Sequence, residues 1–493
     1  MLNNMLIGLQ TAFQFNLLLM TFAGVVAGVI IGCLPGLTSV MGVALLIPLT
    51  FGMEPAVGLA MLGGIYCAST YGGAISAILL NIPGTPSACV TTIDGHPLAL
   101  QGKSTQAIAM ATMGSCVGGI FSTFALLFLA PPLAKISLLF SAQEYFLLAL
   151  LGITIIASFS EENVIKGLIA GCLGLLMSVV GMHPLTGFMR FTAGQEFLYD
   201  GVPLVVALIG FFSLPEVITM ISDTSRDKAK IVNYTGGNVF KYVKELMSHW
   251  VLVLKCSVIG TIIGIIPGAG TDIAAFMAYN EAKRQSKEKE LFGKGAIEGV
   301  LSPETANNAV VGGSLVPLLT LGIPGNAVSA IFLGALLIQG LRPGFELFSN
   351  SPEVVYGFIF SMFAANLLFV PVGFIVARFS AKLLKTPPAV LAPTIVVFAV
   401  IGSYAIRNNI EDLWLMLAMG VVGCLMQFFK VPIAPMVLGL VLGNMAEGEL
   451  ARAYALSGEN IYFLLKQFVT RPICIILLAS CLYSVWHGLK QKH

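Results

Sequence analysis

Charge is scarce in this chain: 10% of its 493 residues are Asp, Glu, Lys or Arg, against 57% hydrophobic. A soluble domain carries roughly a quarter of its residues charged, so most of this surface is not made for water. Metal and redox chemistry have little to draw on. The five histidines form no HExxH, and the nine cysteines form no CxxC pair; Cys33, Cys116, Cys256 and Cys474 stand singly in apolar stretches, as packing residues do. There is no GxSxG elbow and no Walker A lysine, and Gly268-Ala269-Gly270 is followed by Thr271 before Asp272, which breaks the GxGD pattern of intramembrane aspartyl proteases. The net charge of +2 is spread without an arginine-rich groove, which argues against a nucleic-acid partner. The opening MLNNMLIGLQ lacks the basic region of a signal peptide, so the first apolar stretch reads as a retained span.

What the chain has is apolar length. Runs such as Ala107–Ala134, Val202–Ile221 and Val354–Val376 carry one charge or none and exceed the eighteen or so residues that cross a bilayer. The reading is an all-α polytopic membrane protein. The 53 glycines and 24 prolines fit that class, because in a bundle Gly permits close helix approach and Pro marks kinks and interruptions.

Two hydrophilic segments punctuate the pattern, Ser222–His249 (with Arg226, Lys228, Lys230, Lys241 and Lys244) and Asn280–Gly299 (with Lys283, Arg284, Lys287, Lys289 and Lys294). The positive-inside rule puts both in the cytoplasm. Only Trp250–Tyr279 lies between them, so that stretch is expected to enter and leave on one side as a re-entrant hairpin turning at residues 267–272, with an amphipathic arm over Asn238–His249. An internal repeat follows the same theme. Gly28-Val-Ile-Ile-Gly32-Cys-Leu-Pro35-Gly36 matches Gly260-Thr-Ile-Ile-Gly264-Ile-Ile-Pro267-Gly268. Gly72-Gly73 before Ile82-Pro83-Gly84 likewise matches Gly312-Gly313 before Ile323-Pro324-Gly325, with a one-residue difference in spacing. Each half reads as a Pro-Gly-tipped hairpin followed by a long helix broken at Ile-Pro-Gly, over Ala56–Leu100 and Val300–Leu341.

Threading the remainder gives spans near 5–22, 56–100, 107–130, 144–160, 164–182, 203–222, 299–340, 354–378, 389–406, 411–428, 434–446 and 472–487, which is twelve crossings plus two hairpins. The divisions are 1–222 for a first repeat with connecting helices, 223–249 for a cytoplasmic arm, 250–453 for a second repeat, and 454–493 for a last helix and tail. With the N-terminus inside, the two broken helices run in opposite directions, so the repeat is inverted.

Backbone groups freed at a helix break in hydrocarbon persist only where they line a cavity or bind something. The half-helices after Pro35-Gly36, Pro83-Gly84, Pro267-Gly268 and Pro324-Gly325 present free N–H donors and the positive end of a helix dipole, which suit carboxylates. Thr38, Ser39, Asn81, Thr85, Ser87, Gly270, Thr271, Asn307, Asn308 and Asn326 lie beside these breaks as neutral donors or oxygen ligands. Such a pocket suits an organic anion with sodium ions. The plainer alternatives are that each Pro-Gly is a kink and each hydroxyl or amide a helix–helix hydrogen bond; recurrence in matched positions weighs against the first. Asp272 stands equally as a cation ligand or a helix cap, Glu304 after Ser302-Pro303 reads as a helix start, and Asp94 and His96 fall either at a cytoplasmic end or at the site.

Five long segments, residues 32–52, 71–103, 198–217, 264–284 and 302–344, with GCLPGLTSVMG, NIPGTPSACVTTIDGHPLALQGK, GIIPGAGTDIAAF and SPETANNAVVGG among their motifs, resemble the large membrane subunit, of TctA type, of the tripartite tricarboxylate transporters. The resemblance runs from about residue 20 to 450. It implies a multi-pass permease of the bacterial inner membrane that works with a small four-helix membrane subunit and a periplasmic solute-binding protein. It implies import of tri- or dicarboxylates driven by a sodium or proton gradient, by an elevator motion, with no enzyme activity and no cofactor beyond the coupling ion. The site it points to is the two proline-glycine loops of each half and the run Glu304-Thr305-Ala306-Asn307-Asn308. Rival readings are a passive organic-anion channel and an intramembrane enzyme on a lipid-linked substrate. The segment Gly181–Gly201, with Arg190, is expected either to meet the binding protein or to be an ordinary solvated loop.

Overall fold

The computed structural model describes residues 2–158, 164–183, 186–222, 232, 234, 236, 241–268, 270–384 and 386–490. Most of the expected cytoplasmic arm, with Arg226, Lys228 and Lys230, and the tip residue Ala269 lie outside the described residues. Among the described residues eight helices are long and apolar enough to cross a membrane, or ten if each of two sharply bent pairs counts as one span. The expectation was twelve. Two of the expected spans, near 144–160 and 164–182, are apolar helices of fewer than eighteen described residues. The stretch 5–22 is two helices, α1 (Leu2–Ala12) and α2 (Phe15–Cys33), of which the second is one of the eight. The last span belongs to a pair, α20 (Ile461–Thr470) and α21 (Pro472–Lys490), bent by 82°.

Beyond α2, the first half continues with α3 (Ser39–Thr50), α4 (Pro55–Leu80), α5 (Ala88–Leu98) and α6 (Ser104–Ile136). Connecting helices α7 (Ala142–Ser158), α8 (Val164–Ser178) and α9 (Leu204–Ser222) follow. The short α10 (Lys241–Ser248) turns by 73° into α11 (Trp250–Ile265), as the arm-then-hairpin reading expects. Then come α12 (Gly270–Gln285), α13 (Glu298–Leu321) and α14 (Ala327–Ile338). Helices α15 (Phe345–Asn350), α16 (Pro352–Leu383), α17 (Pro388–Arg407), α18 (Glu411–Phe428) and α19 (Ile433–Leu456) lead to the final pair.

Two helices form the centre: every residue of Ala56–Leu80 in α4 and of Gly299–Thr320 in α13 is buried. Lipid is as apolar as leucine, so what holds them is close packing through small residues. Gly32 of α2 lies so near α4 that a methyl on it would stand 2.2 Å from the Ser69 carbonyl oxygen, and one on Gly84 would stand 2.1 Å from the Gly32 oxygen. The second half repeats the arrangement, with Gly264 of α11 against Gly313 of α13 and Gly325 after it. In these contacts Gly72 corresponds to Gly313, not to Gly312, and Gly73 to Ser314. The one-residue mismatch in the sequence alignment therefore disappears, because Gly72 to Gly84 and Gly313 to Gly325 have the same spacing. Helices α4 and α13 also end alike, in left-handed residues Asn81 (φ 59°) and Gly322 (φ 72°), which turn the chain into Ile-Pro-Gly.

Two readings are corrected here. Glu304 is not at a helix start: α13 begins at Glu298, and Ser302 donates back to the Glu298 carbonyl at 2.7 Å in place of capping. Among the described residues no cysteine is in a disulfide, and of the nine, read as packing residues, Cys89 and Cys172 are exposed instead. The Gly181–Gly201 segment holds a two-stranded hairpin, Gly181–Met182 with Met189–Arg190, and Arg190 is tied to Glu447 of α19.

Candidate functional site

Four helices begin around one cavity of about 350 Å³. They are α3, capped by Thr38, whose hydroxyl accepts from the Met41 amide at 3.3 Å; α5, after Ser87; α12, opening at Gly270; and α14, capped by Asn326. Each follows one of the Pro-Gly breaks and turns a dipole's positive end toward the same space; in α5 the Ala88, Cys89 and Val90 amides are already held by the Thr85, Pro86 and Ser87 carbonyls. The lining adds hydroxyls from Ser39, Tyr66, Thr70, Thr85, Ser87 and Thr271, and carboxylates from Asp272 and Glu216. Among the described residues no lysine or arginine lines it.

Of the residues singled out in the sequence, the cavity gathers Thr38, Ser39, Thr85, Ser87, Gly268, Gly270, Thr271, Asp272 and Asn326. The others serve behind it. Gly84 and Gly325 are the close contacts described above, and the Gly268 amide donates to the Gly325 carbonyl at 2.7 Å, tying one tip to the other. Pro35, Gly36, Pro83, Pro267 and Pro324 shape the turns without lining the space, and Asn81 is an exposed helix end. Asn307 is buried and donates to the Thr70 carbonyl at 3.2 Å, from behind the cavity wall. Asn308, fully buried, has neither amide atom paired. Thr271 and Asp272 sit in the first turn of α12, where Thr271 donates to Asp272 at 3.2 Å.

Sequence reasoning missed Tyr66, Thr70, Phe212, Glu216, Ala434 and Leu438. Glu216 carried a signal, as a carboxylate inside the otherwise apolar α9. Tyr66 did not. It links the halves: its hydroxyl accepts from Asn326 Nδ2 at 2.7 Å and shares a hydrogen bond with Ser314 at 3.1 Å, while Asn326 Oδ1 caps α14 through the Ser329 amide at 2.9 Å. Tyr66→Phe strands a buried amide donor, so a loss of about 1–3 kcal/mol is expected, read as a lower unfolding temperature in detergent. An unchanged melting curve would show that the Tyr66–Asn326 link carries no weight.

Asp94 and His96 lie away from the cavity. Asp94 is fully buried and binds three backbone amides ahead of α13, and His96 Nδ1 meets the Ile78 carbonyl at 3.0 Å. Among the described residues no group of three or more His, Cys, Asp or Glu is placed to hold a metal ion.

Apolar spanning helices enclosing a polar interior cavity define a multi-pass membrane protein, of the kind that handles solutes. Residues 18–438 match the sequence model of the Tripartite tricarboxylate transporter TctA family, and the chain belongs to that family, whose members are components of a tripartite transport system rather than enzymes. It is 38% identical to the "Uncharacterized 52.8 kDa protein in TAR-I ttuC' 3'region" of Agrobacterium vitis, over 98% of this chain and 95% of that protein. It is 40% identical to the "Uncharacterized protein in TAR-II ttuC' 3'region" of the same organism, over 46% of this chain and 92% of that protein. No solved structure matches.

Proposed function

We propose that this chain is the large permease subunit of a binding-protein-dependent secondary transporter that imports di- or tricarboxylates across the bacterial inner membrane, coupled to a sodium or proton gradient. The observation that carries this is the meeting of four helix N-termini on one cavity that, among the described residues, no lysine or arginine lines. Helix N-termini, through their dipole ends and whatever first-turn amides the caps leave open, favour carboxylates. They do so without fixed positive charge, so the anion is held firmly enough to enter and loosely enough to leave. Asp272 of α12 and Glu216 of α9, which also line the cavity, favour an accompanying cation.

The partners in this reading are a small four-helix membrane subunit and a periplasmic solute-binding protein that delivers the acid, and surrounding lipid completes the environment. Residues 1–222 and 250–453 act as inverted repeats, and a transport domain bearing the four tips slides past a scaffold. The matched glycine contacts in the two halves support the repeat.

Uptake of labelled citrate, tartrate, malate, succinate, glutamate and terephthalate into vesicles holding the two membrane subunits, with the binding protein outside, tests the proposal. Accumulation of one acid that needs both a cation gradient and the binding protein is expected. Downhill flux indifferent to either gradient would instead identify a passive organic-anion channel.

A further inference from the structure

Behind the cavity wall lies a carboxyl group that the substrate site does not use. Glu304 is 1% exposed, in the second turn of α13. Thr91 of α5 donates to one of its carboxyl oxygens, and Ser115 of α6 lies 3.1 Å from the other and 3.3 Å from the Glu304 backbone carbonyl. The ion pairs among the described residues do not include it.

The titratable groups on the helices packed around α13 are engaged elsewhere or sit at other points of those helices; Asp272 opens α12 at the cavity, and Cys89 of α5 is exposed. On α4, Tyr71 faces Glu304 but bonds Thr112 at 2.7 Å, and Tyr66 and Cys67 bond Asn326 and Asn366. On α5, Asp94 is turned to backbone amides and His96 to a carbonyl. On α11, Lys255 reaches Gln285, and Cys256 is buried in its own cluster. On α12, Tyr279 donates to Asp94, Glu281 pairs with Arg284, and Lys283 is exposed at the helix end; α6 offers Cys116 and, at its far end, Lys135.

We propose that Glu304 carries the coupling proton of transport. An ionised carboxylate without a counter-charge is among the costliest groups to bury in an apolar interior. The surroundings serve both forms: Thr91 and Ser115 donate to the two oxygens of the carboxylate, and on protonation Ser115 turns its O–H to the Glu304 backbone carbonyl, 3.3 Å away, and accepts the carboxyl O–H. About one turn along, Asn307 and Asn308 carry buried amide atoms that have no partner, and Asn307 holds the carbonyl of Thr70, which lines the cavity. These atoms form a polar route by which the carboxyl gains one proton from the outer side and loses one proton to the inner side in each cycle. The inference rests on the transport reading above and narrows its cation to the proton.

Two measurements on the complex reconstituted with its binding protein test it, with citrate as probe and tartrate and succinate run alongside. In the parent protein an acid-outside gradient of one pH unit is expected to support about tenfold accumulation per proton. In Glu304→Gln that accumulation is lost, exchange of labelled for unlabelled acid persists, and the exchange rate no longer varies with pH. Accumulation by Glu304→Gln equal to the parent's, or parent uptake driven by sodium alone and indifferent to pH, overturns the proposal. The second measurement needs no flux: the parent's infrared spectrum should contain a buried carboxylic-acid carbonyl band that Glu304→Gln removes, and an unchanged spectrum overturns the assignment. If Glu304→Gln does not fold, Glu304→Asp replaces it, and an unshifted band with an unshifted pH profile is then the overturning result. Absence of flux of all three acids in a folded parent overturns the transport reading, and this inference with it.

Discussion

Gly32→Val is expected to leave no folded protein in the membrane. The first added carbon would stand 2.2 Å from the Ser69 carbonyl oxygen and 2.9 Å from that residue's Cα, which are backbone atoms that no rotamer change can move. Relief requires α2 to separate from α4, yet the same approach is fixed along the pair by Gly24, whose added carbon would lie 2.1 Å from the Met61 oxygen, and by Gly28. The Gly84 turn closes on the other side of Gly32. Overpacking costs typically 1–3 kcal/mol where neighbours can adjust; here they are main chain, so the cost lies above about 3 kcal/mol. Size-exclusion profiles of the solubilised variant should show aggregate. Gly448→Ala is the control: nothing lies within 4 Å of its added carbon, and it should run as the parent does. A monodisperse Gly32→Val with the parent's melting temperature would show that the α2–α4 contact does not hold the fold.

Why that glycine was legible bears on the rest. The GxxxGxxPG pattern and the Ile-Pro-Gly breaks are local signals: a left-handed turn, a missing amide and a small contact residue are written in adjacent letters, so all four tips could be placed before the fold was known. That the four tips meet near one point is an expectation drawn from the matched motifs. What completes the cavity is not local. Phe212 and Glu216 come from α9, and Ala434 and Leu438 from α19, helices whose distance from the tips in sequence hides their nearness in space. The failures have physical causes too. Ser302-Pro303 looks like a cap and first-turn proline, but tertiary packing carries α13 back to Glu298, and a proline is tolerated there because neighbouring helices satisfy what it frees. The break between α1 and α2 falls at Phe13-Gln14, with neither Gly nor Pro to announce it. It arises because α1 turns to lie on α16, where Gly8 meets Tyr356.

Asp94→Ala is expected to cost the protein on the order of 3–5 kcal/mol and to free the loop that joins α12 to α13. One carboxylate oxygen accepts the amides of Gly293, Gly295 and Ala296, each at 2.8 Å, and the other accepts the Tyr279 hydroxyl at 2.9 Å. Gly293 and Gly295 have φ of 86° and 108°, the left-handed backbone that lets successive amides converge on one anion. Alanine removes the acceptor and leaves several donors at a buried point. Asn should be gentler, at about 1–3 kcal/mol, because its carbonyl still meets the three amides and its NH2 turns toward Tyr279, which then accepts; what is lost is the charge. Thermal unfolding gives the order Ala, Asn, parent, and trypsin gives the location, since the exposed Lys287, Lys289 and Lys294 lie on the loop that would loosen. Parent-like melting and cleavage in Asp94→Ala would remove the anchor from the account. If Asn proves as damaging as Ala, the negative charge itself, rather than the acceptor geometry, holds α12 with its Thr271 and Asp272 in register with α13.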